Sequence, residues 1–158
     1  MSRLVDDVRI RAWRALMHVH AGITDELEQE LGKAHDLPLS WYQVLVELRI
    51  GGGALRMHRL AEAATLSRSA TTRLVDQIER AGLVERRVCP SDRRGIEVVL
   101  TQAGQEIQTQ AAPTVIRGLK HHLWDHLTDE QTATLADILE TVPATSHQPA
   151  AKEKLPAS

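Results

Sequence analysis

Residues 60–101 read LAEAATLSRSATTRLVDQIERAGLVERRVCPSDRRGIEVVLT, and a change of period inside them decides the fold. Thr71, Leu74, Val75 and Ile78 recur at i, i+3, i+4 and i+7, which is one face of a helix over Arg68–Ala81. Ser67 stands where an N-cap hydroxyl belongs and Gly82 where a terminating glycine does. Just upstream, Leu60, Ala61 and Ala64 form the apolar stripe of a short helix from about Met57 to Ala64, and Thr65-Leu66-Ser67 is a turn. Downstream the period drops to two. Leu83–Cys89 and Ile96–Leu100 are the β-branched-rich stretches, with Ile96, Val98 and Leu100 alternating with Glu97 and Val99. Between them Pro90–Gly95 is polar, with turn formers at both ends, so the pair predicts a β-hairpin with a charged tip.

Outward from this centre the chain is helical. Leu4–Lys33 carries Ile10, Trp13, Leu16, Met17, Ile23, Leu27 and Leu31 mostly three and four apart, and Asp36-Leu37-Pro38 stops it. Ser40 followed by Gln43 predicts a capping box for a helix with Trp41, Val44, Leu45 and Leu48 on its apolar face, ended by Gly51-Gly52-Gly53. After Thr101 a long helix is expected over Gln102–Leu127, bent at Pro113. Thr128 and Gln131 then open a last helix with Leu135, Ile138, Leu139 and Val142 as its stripe. Residues 143–158 have the composition of a flexible tail. The expected fold is mainly α with one β-hairpin, in a single domain spanning 1–158. Residues 49–101 would form the lobe with the hairpin, and 4–48 and 102–142 would supply a helical lobe.

Composition narrows the function. Leu (20) and Ala (19) make up a quarter of 158 residues and there is no Phe, which favours an aliphatic, helical core. The single cysteine, Cys89, cannot form an internal disulfide, and no stretch approaches the ~18 apolar residues of a membrane span. Met1–Ile10 has four charges and no apolar run, unlike a signal peptide. A cytoplasmic protein is expected. The net charge of −2 conceals an asymmetry. Residues 49–95 hold ten arginines, no lysine and five acids, leaving +5, while the remainder carries −7. A basic centre between acidic ends suits one module that meets a polyanion and another that does not, although the arginines could equally form a surface ion-pair face.

Two short helices, a tight turn, a helix rich in Arg, Ser and Thr, and a basic-tipped hairpin make a winged helix-turn-helix. A helix of this kind fits the DNA major groove, and a hairpin arginine is favoured in the negative minor groove. With Thr71, Leu74, Val75 and Ile78 inward, Ser67, Arg68, Ser69, Thr72, Arg73 and Asp76 point outward. The two arginines and three hydroxyls of that set are an inventory for phosphate and base contacts.

Leu60–Ser69 and Thr72–Arg86, with Asp92-Arg93-Arg94-Gly95 and Val98-Val99-Leu100-Thr101, resemble the MarR (multiple antibiotic resistance regulator) family. The resemblance covers about residues 4–142. It implies a homodimeric transcriptional regulator, commonly a repressor released by a small ligand or an oxidant, that binds a near-palindromic double-stranded operator. It further implies terminal helices that interlock two chains. Ser67, Arg68, Ser69, Thr72 and Arg73 would meet the major groove and backbone. Arg93 would enter the minor groove beside Arg94, and Asp92 would orient either Arg93 or a recognition-helix arginine. Thr71 departs from the family, which usually has an aliphatic residue there.

Trp13, Met17, Trp41 and Leu45 are candidates to line an effector pocket, or else core. Cys89 is either a redox trigger or a small strand residue. His18, His20, His35 and His58, with His122 and His126 at i, i+4, raise a zinc-responsive alternative, but no tight ligand spacing accompanies them and no metal or cofactor is expected. A winged helix that binds protein rather than DNA is the other alternative. No nucleophile elbow, phosphate-cradling loop or HExxH is present in the sequence, so no enzyme is expected.

Overall fold

The computed structural model describes residues 7–89 and 92–142, and of 92–94 the backbone alone. Helix α1 spans Val8–His35, α2 Leu39–Ile50, α3 Met57–Ala63, α4 Arg68–Arg80, α5 Gln102–His122 and α6 Asp129–Glu140. A short 3₁₀ turn covers Trp124–His126. Strands β1 (Ala54–Arg56), β2 (Val84–Cys89) and β3 (Asp92–Leu100) form one antiparallel sheet in the order β1-β3-β2. The chain divides into two compact units, one of residues up to Ser40 with Thr109–Thr141, the other containing Trp41–Gln108.

In the second unit, Val44, Leu45 and Leu48 of α2, Leu60 of α3, Val75 and Ile78 of α4, Val84 of β2 and Val98 of β3 are buried. This core is aliphatic, as the composition requires. Tyr42 lies at its margin, where burial pushes the phenol up, opposed by a hydrogen bond with Gln108 and the charge of Arg49. Arg49 also donates to the buried Gln108 Oε1.

Several expected boundaries move, each for a local reason. Helix α1 begins at Val8, capped by the Asp7 carboxylate accepting from the Arg9 N–H at 2.8 Å, and it runs through Gly32 to His35, where Asp36 takes a left-handed φ of 50°. Ser40 is not an N-cap. Helix α2 begins at Leu39, whose N–H donates to Glu28 Oε2 at 2.7 Å, so a carboxylate from α1 does the capping. Gly51–Gly53 closes α2 through amides returning to the Glu47, Arg49 and Leu48 carbonyls, with Gly52 and Gly53 at positive φ. It then delivers the chain into β1, which pairs Ala54 with Val99 and Arg56 with Glu97. The hairpin therefore belongs to a three-stranded sheet. The polar loop is also shorter than Pro90–Gly95, because β3 starts at Asp92, opposite Cys89, with a register shift before Val88 meets Ile96. Helix α5 ends at His122 rather than Leu127, and the 3₁₀ turn follows. The Thr128–Gln131 capping box is present in both directions. The 143–158 tail lies outside the described residues.

Candidate nucleic-acid interface

Helix α4 carries the outward face. Ser67 caps it, Oγ accepting from the Ala70 N–H at 3.2 Å. Thr71, Val75 and Ile78 are buried and Leu74 is half-buried, so the inward face lies where the periodicity puts it. Thr71 donates its hydroxyl hydrogen to the Ser67 carbonyl at 2.9 Å, which lets a polar residue sit fully buried at an otherwise aliphatic position. Arg68, Ser69, Thr72 and Arg73 are exposed, and Ser67 and Asp76 are half-buried. The Thr72 hydroxyl donates to the Arg68 carbonyl and the Ser67 and Ser69 hydroxyls lie 3.3 Å apart.

The ten arginines of residues 49–95 do not act alike. Arg59 pairs with Glu62 at 3.2 Å and Arg87 pairs with Glu85. Arg49 is engaged with Gln108, and Arg56 donates to Cys89 Sγ at 3.5 Å. Arg86, in β2, is held by two carboxylates of α4, Asp76 at 2.6 Å and Glu79. Among the described residues, Arg68, Arg73 and Arg80 have no ion-pair partner, and all three are exposed on α4. Among the described residues of this segment, ion-paired arginines and the exposed arginines of α4 thus coexist. Asp92, Arg93 and Arg94 lie in β3 by backbone, and their side chains fall outside the description.

A cleft of about 660 Å³ in the second unit is lined by Arg56, His58, Arg68, Thr72, Arg86 and Ile96, among others. Arg56 enters the sequence reading only as one of the ten arginines, and His58 only among the histidines of the zinc-responsive alternative. The three-residue strand that presents Arg56 is too short to show a period of two, and the only local sign is the basic character of Arg56–Arg59. Cys89 is buried, donating to Glu97 Oε1 at 3.1 Å.

The remaining candidates are divided between the two units. Trp13 (60% exposed) and Met17 (47%) stand out from α1 in the first unit, while Trp41 is half-buried and Leu45 fully buried in the second. His35 faces the Thr114 hydroxyl at 2.9 Å and His122 faces Glu30 at 3.3 Å. His126 sits in the 3₁₀ turn, so the helical i, i+4 spacing with His122 does not exist. No three His, Cys, Asp or Glu side chains among the described residues come together as a metal site, and no described helix is long and apolar enough to cross a membrane.

A three-stranded sheet whose hairpin follows an arginine-faced helix, itself preceded by a short helix and a tight turn, defines a winged helix-turn-helix protein. The sequence pattern of the MarR family matches residues 35–95. The chain is 30% identical over 127 residues to the multiple antibiotic resistance protein MarR of Escherichia coli, a span of 80% of this chain and 88% of that protein. Its fold is similar to AbsC, a MarR family transcriptional regulator from Streptomyces coelicolor, with 34% identity and a TM-score of 0.79 over 85% of this chain and 91% of that one. It is also similar to Sco3205 of Streptomyces coelicolor, a MarR family regulator solved in complex with DNA, with 33% identity and a TM-score of 0.78 over 88% of this chain and 87% of the other. The chain belongs to the MarR family. It is a transcriptional regulator and not an enzyme.

Proposed function

We propose that this protein is a ligand-responsive repressor that binds a near-palindromic DNA operator as a homodimer. The observation that carries the reading is the outer face of α4. Arg68 and Arg73 are exposed there with no carboxylate partner among the described residues, beside the hydroxyls of Ser67, Ser69 and Thr72. This face is set on a helix whose opposite side is fixed in an aliphatic core. These side chains meet the major groove and its phosphates. Asp92, Arg93 and Arg94 of the hairpin meet the adjacent backbone and minor groove.

The dimer reading rests on a different observation. Val8, Ile10, Trp13, Leu16, Met17 and Val19 of α1, and Ile138 and Leu139 of α6, are all more than a third exposed in the single chain. Apolar surface on this scale marks an association face. Trp13, Met17, Trp41 and Leu45 are the candidate contacts of a small effector, which would quench tryptophan fluorescence on binding.

Selection of duplexes from a random pool, followed by titration of the best binder, tests the proposal. Six to ten phosphate contacts would cost about 10³–10⁵ in affinity between 50 and 200 mM salt. A purified protein that enriches no sequence, or ignores every duplex at low salt, overturns it.

A further inference from the structure

We propose that Arg86 is a positioning residue for DNA recognition, one that locks the recognition helix α4 to the hairpin without itself contacting the duplex; this rests on the reading of α4 as the DNA-reading helix. Arg86 is half-buried in β2, where it stands opposite Val98 of β3 in the antiparallel register. Its guanidinium spans two carboxylates one turn apart on α4, Asp76 at 2.6 Å and Glu79. It also lies 3.4 Å from the Thr72 carbonyl, and its backbone N–H donates to Glu79 Oε1 at 2.9 Å. Four contacts thus join one strand residue to three successive turns of α4.

Two physical consequences follow. A guanidinium that already holds two carboxylates has little charge left for a phosphate, so Arg86 adds little to the counterion release of binding. Its planar fork also fixes direction as well as distance, which a flexible ammonium cannot do. The face that carries Arg68, Thr72 and Arg73 is then held at one setting relative to the strand leading to the hairpin tip. Groove-reading groups on two elements must fit one duplex together, so a loosened coupling lowers specific binding more than general binding.

The test uses the full chain as Arg86→Ala and Arg86→Lys, with the selected duplex and a scrambled one, each titrated from 50 to 200 mM salt. Discrimination, the ratio of the two affinities, is the readout, because the carboxylates exposed in Arg86→Ala repel both duplexes alike. The ratio is expected to fall about three- to thirtyfold in both variants. The salt slope of each stays parental, and amides in the first turns of α4 exchange faster with solvent. A slope reduced by about 0.9, with Arg86→Lys restoring affinity, identifies a phosphate contact and overturns the proposal. An unchanged ratio overturns it as well. If Arg86→Ala does not fold, Asp76→Asn and Glu79→Gln loosen the same junction from the helix side and must lower discrimination at the parental slope. Failure of the parent to bind any duplex defeats the function, while hydrogen exchange still decides whether Arg86 holds α4.

Discussion

At the scale of single residues, the working distinction is between arginines that are spent and arginines that are available. Arg73 is exposed on α4 with no described ion-pair partner. Arg73→Ala is expected to weaken operator binding and to relax the preference at one base pair by about 1–3 kcal/mol, read from binding to single-position variants of the operator. Arg93→Ala is expected to weaken the same binding while leaving the dimer intact, which sedimentation of the variant checks alongside its affinity. An Arg93→Ala protein that binds like the parent would remove the hairpin from the interface. Thr71 is the opposite kind of residue, buried and spent inside the fold. The Ser67 carbonyl that accepts its hydroxyl also accepts its backbone N–H at 2.9 Å, so Thr71→Val leaves no buried acceptor unsatisfied. Its unfolding free energy should stay within about 1 kcal/mol of the parent.

At the scale of elements, legibility follows how far each signal reaches along the chain. The inward face of α4 and the capping box of α6 are local patterns, three or four residues apart, and both are plain in the sequence. The start of α2 is not, because its cap is Glu28, eleven residues back on another helix, and Ser40 is only a local imitation of one. Strand β1 is hidden for a related reason. Three residues cannot display a period, and their reason for being extended is β3, more than forty residues away. The arginine face shows in the sequence as charge, whereas its division into paired and available arginines depends on which carboxylates the fold brings near. Gly104 shows the same effect with the sign of a mutation at stake. On propensity alone, glycine to alanine inside α5 should stabilise by about 1 kcal/mol. A Cβ at Gly104 would sit 2.0 Å from the Leu83 carbonyl oxygen and 2.9 Å from Leu100 Cδ1. The carbonyl belongs to backbone that enters β2 and accepts the Thr101 N–H, so it cannot swing aside. Gly104→Ala is therefore expected to destabilise by about 1–3 kcal/mol, seen as a lowered Tm. A raised Tm would mean that α5 and the Leu83 segment can separate without cost.

At the scale of the whole molecule, the unburied apolar residues of α1 and α6 carry the argument. A chain that buries Leu27 and Leu31 at the end of α1 yet leaves Trp13 60% exposed near its start has a helix half covered by its own fold. On α6, Ile138 is 57% exposed. A second copy that covers these residues also brings a second α4 to the DNA. Two linked half-site contacts then bind as one event, and such linkage raises affinity by about 10²–10⁴ with no new contact at either half-site. Trp13→Glu combined with Ile138→Glu buries two charges in that association face and should yield a monomer by sedimentation, with operator affinity lowered by that same factor. The loss should fall on the palindrome alone. Binding to an isolated half-site should stay near the parental value, because α4 and its arginines are untouched. A double variant that sediments as the parent does would show that these apolar residues do not form the association face. A monomer that held the palindrome as tightly as the parent would show that one chain suffices for recognition.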